Sequence, residues 1–144
     1  MTLKRSNRAP ELWDIFGLLS DEKSLRMFRF IASGEGRIES MQAKLRLTRK
    51  QYYSRLSQMV DAGMVKRKMR RYELTAMGKI LAEEVRVFGE VLEKFTELRV
   101  LEIINETDIP MPEREKLWKS LLSSGLLERI KNGETQKSDT DEDQ

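Results

Sequence analysis

The sequence predicts a mainly α-helical chain with one small β-ribbon. Three observations carry that expectation. Apolar residues recur every three or four positions over most of the chain, the spacing of one helix face. That spacing lapses between Met64 and Thr75, where two short strand-like runs lie back to back. Ser, Thr and Asp stand ahead of several helical stretches and Gly behind them, where capping needs them.

Residues 1–9 are polar and basic and read as a flexible arm. Pro10 can open a short helix at its first turn, carrying Leu12, Trp13, Ile15, Phe16 and Leu19. Ser20 is the expected N-cap of a second helix, with Asp21 and Glu22 in its first turn, where acids favour the helix dipole. That helix should run to about Ser33, with Leu25, Phe28 and Ile31–Ala32 as its apolar positions, and end at Gly34 and Gly36. A third helix, Ile38 to Leu45, is followed by a tight turn at Arg46–Leu47. Thr48 caps the fourth, with Gln51 placed for a capping box. Tyr52, Leu56, Met59 and Val60 form its inner stripe, and Gly63 should stop it in the left-handed conformation.

The period then shortens. Met64–Met69 and Tyr72–Thr75 read as two strands with Arg70–Arg71 at the turn, which lacks the Asn-Gly that would fix its type. From about Thr75 to Asn105 the pattern predicts one long helix. Leu81, Val85, Phe88, Leu92 and Phe95 step by four and three, and Leu98, Leu101 and Ile104 continue the stripe. Residues 107–112 break it. A last amphipathic stretch carries Leu117, Trp118, Leu121, Leu122, Leu126, Leu127 and Ile130, with Gly125 as a divider and Gly133 as a cap. Residues 134–144 are acidic, nearly free of apolar groups, and expected to be disordered. The organisation is therefore an arm (1–9), a helix-and-ribbon domain (10–79), a helical dimerisation or interaction region (80–131) and an acidic tail (132–144).

Composition narrows the chemistry. The 144 residues contain neither His nor Cys. Thiolate nucleophiles, Cys-based zinc sites and the Ser-His-Asp arrangement are thereby excluded. No catalytic residue, metal or cofactor is expected. No apolar run reaches the roughly 18 residues of a membrane span, and no apolar stretch follows the basic start. A soluble, cytoplasmic, nucleoid-associated protein is the expectation. The net charge of +3 is unevenly spread: residues 1–80 balance to +10 and residues 81–144 to −7. A basic half of this kind suggests a polyanionic partner.

The order helix, short helix, turn, helix, two-stranded ribbon is a winged helix-turn-helix. In such a unit the third core helix (here about 48–62) offers its far face to the major groove of double-stranded DNA. With Tyr52, Leu56 and Met59 buried, Lys50, Ser54 and Ser57 lie opposite, and Arg49, Gln51 and Tyr53 flank them. Cations suit phosphates, and amides and hydroxyls suit base edges. Lys44 and Arg46 precede the helix, and Lys66, Arg67, Lys68, Arg70 and Arg71 mark the wing (64–75). From Lys44 to Arg71 there are ten basic residues and one acid, Asp61. A merely solvated ribbon is the plainer reading of 66–71, and Tyr53 could equally pack against the wing.

A helix of about 30 residues spans roughly 45 Å, more than a small core covers. Leu81, Val85, Phe88, Leu92, Phe95, Leu98 and Leu101 are therefore expected to pair with a second copy, with folding back on the same chain as the alternative. A symmetric dimer would space two recognition helices about 34 Å apart, as a palindromic site requires. The C-terminal helix or acidic tail is a candidate surface for a protein partner.

Residues 18–79 resemble the winged-helix domain of small prokaryotic transcription regulators, nearest in pattern to the ArsR and MarR superfamilies and their archaeal relatives. The resemblance rests on LSDEKSLRMFRFIASG, Met41 with Leu45-Arg46-Leu47-Thr48, Ser54-Arg55-Leu56 with Met59 and Ala62-Gly63-Met64-Val65, Tyr72-Glu73-Leu74-Thr75, and Gly78-Lys79. It implies a sequence-specific, usually dimeric DNA-binding regulator. This chain lacks the Cys and His of metal- and thiol-sensing members, and its wing is short and has no glycine. A winged-helix protein-interaction module and a non-specific DNA-coating protein remain as other readings.

Overall fold

A computed structural model describes the backbone of residues 8–140 and their side chains, those of Ile38 and residues 135–140 excepted. The expected arm therefore lies mostly, and residues 141–144 of the tail wholly, outside the described residues. The element order is α1 (Leu12–Leu19), α2 (Glu22–Ala32), α3 (Ile38–Leu45), α4 (Arg49–Asp61), β1 (Val65–Lys68), β2 (Arg71–Leu74), α5 (Ala76–Glu93), α6 (Phe95–Asn105), α7 (Met111–Leu121) and α8 (Ser124–Thr140). The chain is mainly helical with one antiparallel ribbon, a winged-helix-like fold, as the sequence predicts. The described residues form two compact units, divided between Arg86 and Val87.

The first unit is built around one core. Met27 and Phe28 from α2, Met41 from α3, and Tyr52, Leu56 and Met59 from α4 are almost fully buried, together with Met64 and Val65 at the start of the ribbon. Burying side chains of this size stabilises by about 1.5–3 kcal/mol each before chain entropy is charged. Leu81 and Val85 of α5 pack on the same core, half-buried.

Two glycines sit where backbones meet. A Cβ on Gly36 would lie 2.2 Å from the Tyr72 carbonyl oxygen, and Gly36 accepts a hydrogen bond from the Tyr72 N–H at 3.1 Å. A Cβ on Gly78 would lie 1.9 Å from the Met64 carbonyl oxygen. The Thr75 hydroxyl accepts from the Gly78 N–H at 3.0 Å and donates to Gly63, so it caps α5 and ties it to the end of α4.

Several boundaries differ from expectation. The N-cap of α2 is Asp21, whose carboxylate accepts from the Ser24 N–H at 3.1 Å; the Ser20 hydroxyl instead donates to Gly17, closing α1. The ribbon turn is Met69–Arg70, since Lys68 pairs with Arg71, and Met69 takes the positive φ (56°) that the missing glycine would have supplied. The long helix is interrupted. Lys94 adopts φ −93° and ψ 17°, and its N–H is shared between the Glu90 and Val91 carbonyls. A three-centre bond of this kind marks a helix end.

In the second unit, Leu101, Leu122 and Leu126 are buried, with Val91, Leu98, Trp118, Leu121, Leu127 and Ile130 packed around them. The division in the last stretch falls at Leu122–Ser123 rather than at Gly125, because Ser123 accepts from the Leu126 N–H and caps α8. That helix passes through Gly133 to Thr140. One interior glycine costs about 1 kcal/mol relative to alanine, which does not end a helix by itself.

Candidate nucleic-acid interface

Local sequence fixes how α4 is presented. The Gln51 N–H donates to the Thr48 hydroxyl and the Thr48 N–H to Gln51 Oε1, both at 3.2 Å, a closed capping box. The preceding turn places Arg46 in the left-handed region at φ 50°. Tyr52, Leu56 and Met59 face the core. Arg49, Lys50, Tyr53, Ser54 and Ser57 are exposed, as the helical period predicts. The Tyr53 ring makes an edge contact with Tyr52 (centroids 5.1 Å apart), and the Arg49 guanidinium lies 5.8 Å over it. Burial pushes the Tyr52 hydroxyl well above the usual tyrosine range.

Not every predicted side chain is available for a ligand. Gln51 is half-buried, and its amide oxygen is engaged in the cap. Lys44 pairs with Glu35 at 3.1 Å and lies 5.4 Å over the Phe30 ring. Arg55, one of the ten basic residues, is an anchor: its Nε donates to Asp21 Oδ2 at 2.7 Å and its Nη1 to the Gln51 carbonyl. That hydrogen bond, seconded by Ser24, holds the Asp21 carboxyl down at about 2.

The ribbon pairs Val65 with Leu74, Lys66 with Glu73, Arg67 with Tyr72 and Lys68 with Arg71. Opposite charges at Lys66 and Glu73 suit a cross-strand pair, whereas Lys68 against Arg71 is like against like. Arg71 turns to the α2–α3 loop, donating to the Gly34 carbonyl at 3.2 Å, and Arg67 donates to the Met69 carbonyl at 3.3 Å. Lys66, Lys68 and Arg70 are exposed, as are Arg46, Arg49 and Lys50, and none of these six has a carboxylate partner within 4 Å among the described residues. The first unit thus carries exposed, unneutralised cations on α4, on the turn before it and on the ribbon. Binding a polyanion there would release its condensed counterions.

The predicted pairing stripe divides. Leu81 and Val85 belong to the first core, and Leu98 and Leu101 to the second. Phe88, Leu92 and Phe95 remain exposed, at 57%, 73% and 60%. Arg55 and Asp21 are the residues that the sequence reading missed, since nothing local links positions 34 apart. The acidic N-cap, shifted one residue from Ser20, was the available hint.

Residues 14–95 match the family described as methanogenesis regulatory protein FilR1, N-terminal domain. The chain belongs to this family. The FilR1 N-terminal match runs from within α1 to the first residue of α6 and so includes α4, the ribbon and all of α5. A family of regulatory proteins points to transcription regulation rather than catalysis. No curated protein and no solved structure matches the chain. Among the described residues, no group of three or more His, Cys, Asp or Glu could hold a metal ion, and no helix is long and apolar enough to cross a membrane.

Proposed function

We propose that the chain is a DNA-binding transcription regulator acting as a homodimer on a palindromic site. One observation carries the reading: the inner face of α4 is locked in the core while its outer face presents Arg49, Lys50, Ser54 and Ser57 without an acid among them. The helix enters the major groove, Lys50 and the serines meet base edges, and Arg46 and Arg49 meet phosphate. Lys66, Lys68 and Arg70 hold the flanking backbone. The shared order of helix-turn-helix and ribbon with ArsR- and MarR-type regulators supports the assignment. The family is named for a methanogenesis regulator, and genes of that metabolism are the natural targets.

The homodimer rests on Phe88, Leu92 and Phe95. They continue the stripe that Leu81 and Val85 bury, but neither core among the described residues covers them. A second copy presenting the same three residues would cover them symmetrically.

Selection from random double-stranded DNA, repeated at two salt concentrations, tests the proposal. A palindromic consensus bound by two chains, with affinity falling steeply as salt rises, is the expected outcome. Equal affinity for selected and random DNA would indicate a coating protein. Absence of DNA binding at low salt, with a protein complex that survives loss of the ribbon cations, would indicate an interaction module.

A further inference from the structure

We propose that the first unit holds a binding site for a small amphipathic carboxylate, in the open cavity between α2, the end of β2 and the start of α5. The cavity measures about 420 Å³, within the range of small-molecule sites, roughly 300–1,000 Å³. Its wall divides by chemistry. Phe28 from α2, Leu74 from β2, and Ala82 and Val85 from α5 supply an apolar side. Arg29 and Lys79 supply an exposed cationic side, and neither has a carboxylate partner within 4 Å among the described residues. Glu83, the one acid on the wall, is engaged by Arg86 at 2.7 Å. A second opening of about 410 Å³ shares Ala32, Leu74 and Lys79 with the first, so Lys79 stands on the wall common to both.

The two sides together select the ligand class. A carboxylate head placed between Arg29 and Lys79 gains charge-assisted hydrogen bonds. An apolar body then covers the half-buried Leu74, Ala82 and Val85, removing that surface from water. An organic cation would be repelled, a neutral ligand would leave the cations unused, and an inorganic anion would leave the apolar wall wet. None of the residues proposed to meet DNA lines the first cavity, so this site stands or falls separately from the DNA reading. Leu74 ends β2, which puts an occupant at the root of the ribbon.

The test uses the full chain without DNA and three matched probes: 4-phenylbutyrate, 4-phenylbutan-1-ol and 4-phenylbutylamine. Each is titrated by calorimetry and by amide chemical shifts. The acid should bind about tenfold more tightly than the alcohol, the size expected for two exposed charge contacts. The amine should bind least, and the shifts should centre on Ser33, Leu74 and Ala82. The double variant Arg29→Gln/Lys79→Gln alters two exposed side chains and should fold normally, by an unchanged circular dichroism spectrum. In it the acid should lose its advantage while the alcohol is unaffected. Equal binding of acid and alcohol to the native chain overturns the proposal. So does preference for the amine, absence of shifts at the cavity with millimolar acid, or an acid preference that survives the double substitution.

Discussion

Arg55 on α4 and Asp21 at the head of α2 are joined by a 2.7 Å hydrogen bond from Nε to Oδ2. Asp21 also accepts from both the backbone and the hydroxyl of Ser24. One carboxylate thus caps α2 and fixes the orientation of α4. The Arg55 side chain is only 20% exposed, so a cation in the middle of the proposed recognition helix works inward, on the fold. Asp21→Ala should destabilise the first unit by about 1 kcal/mol, as loss of an N-cap does, read by denaturant unfolding. Arg55→Gln should likewise shift stability and leave the salt slope of DNA binding nearly unchanged.

The same pair predicts a pH dependence. Asp21 has its carboxyl at about 2 in the folded chain against 3.8 ordinarily. A depressed carboxyl stabilises the fold at pH values above the unfolded value, and that contribution is lost as pH falls from about 4 towards 2. Its side chain is 43% exposed, so solvent screening keeps the effect small. Unfolding midpoints followed from pH 5 to pH 2 should fall more steeply for the native chain than for Asp21→Asn. Identical slopes would show that the pair carries no linkage.

Arg46 separates binding from stability. It holds a left-handed φ of 50° that costs a non-glycine residue about 1 kcal/mol. Arg46→Gly should therefore raise the unfolding free energy by about that amount. If the guanidinium meets a phosphate, the same substitution should lower DNA affinity and reduce the salt slope by about 0.9. A more stable protein that binds DNA as before would remove Arg46 from the interface.

The glycines give opposite signs. Gly78→Ala would drive a Cβ into the Met64 carbonyl, a backbone atom that cannot step aside. A loss of about 3 kcal/mol or more is expected, the tail reserved for strain and overpacking. Gly125→Ala meets open space within α8 and should stabilise by roughly 0.5–1 kcal/mol. Thermal unfolding of the two variants checks both.

Local rules made much of this fold legible. The Tyr52–Leu56–Met59 stripe, the Thr48–Gln51 box and Gly63 are all decided within a few residues, and each stands as the sequence predicts. What was hidden depends on distant partners. Lys94 is neither Pro nor Gly, and the stripe runs through it unbroken, so only the packing of Leu98 and Leu101 against Leu122 and Leu126 accompanies the interruption. The ribbon turn lies one residue earlier than the pattern predicts because Met69 adopts a conformation that side chains normally avoid. The outer face of α4 followed from its inner one, while the engagement of Lys44 and Arg55 with Glu35 and Asp21 could not be read from spacing.

The homodimer is tested at Phe88 and Leu92. Both are exposed within the chain, at 57% and 73%, so acidic substitutions there create no buried charge in the monomer. Phe88→Glu/Leu92→Glu should leave unfolding nearly unchanged and convert a sedimenting dimer to a monomer, since two copies of each acid would face one another across a symmetric seam. Affinity for a palindromic site should fall by about a hundredfold or more as the second recognition helix becomes untethered. Leu101→Glu is the contrasting case. Leu101 is 4% exposed, so the charge would enter the second core, and unfolding of that unit should precede any dissociation. A native chain that sediments as a monomer at micromolar concentration, or a double variant that remains dimeric, would move the pairing surface elsewhere.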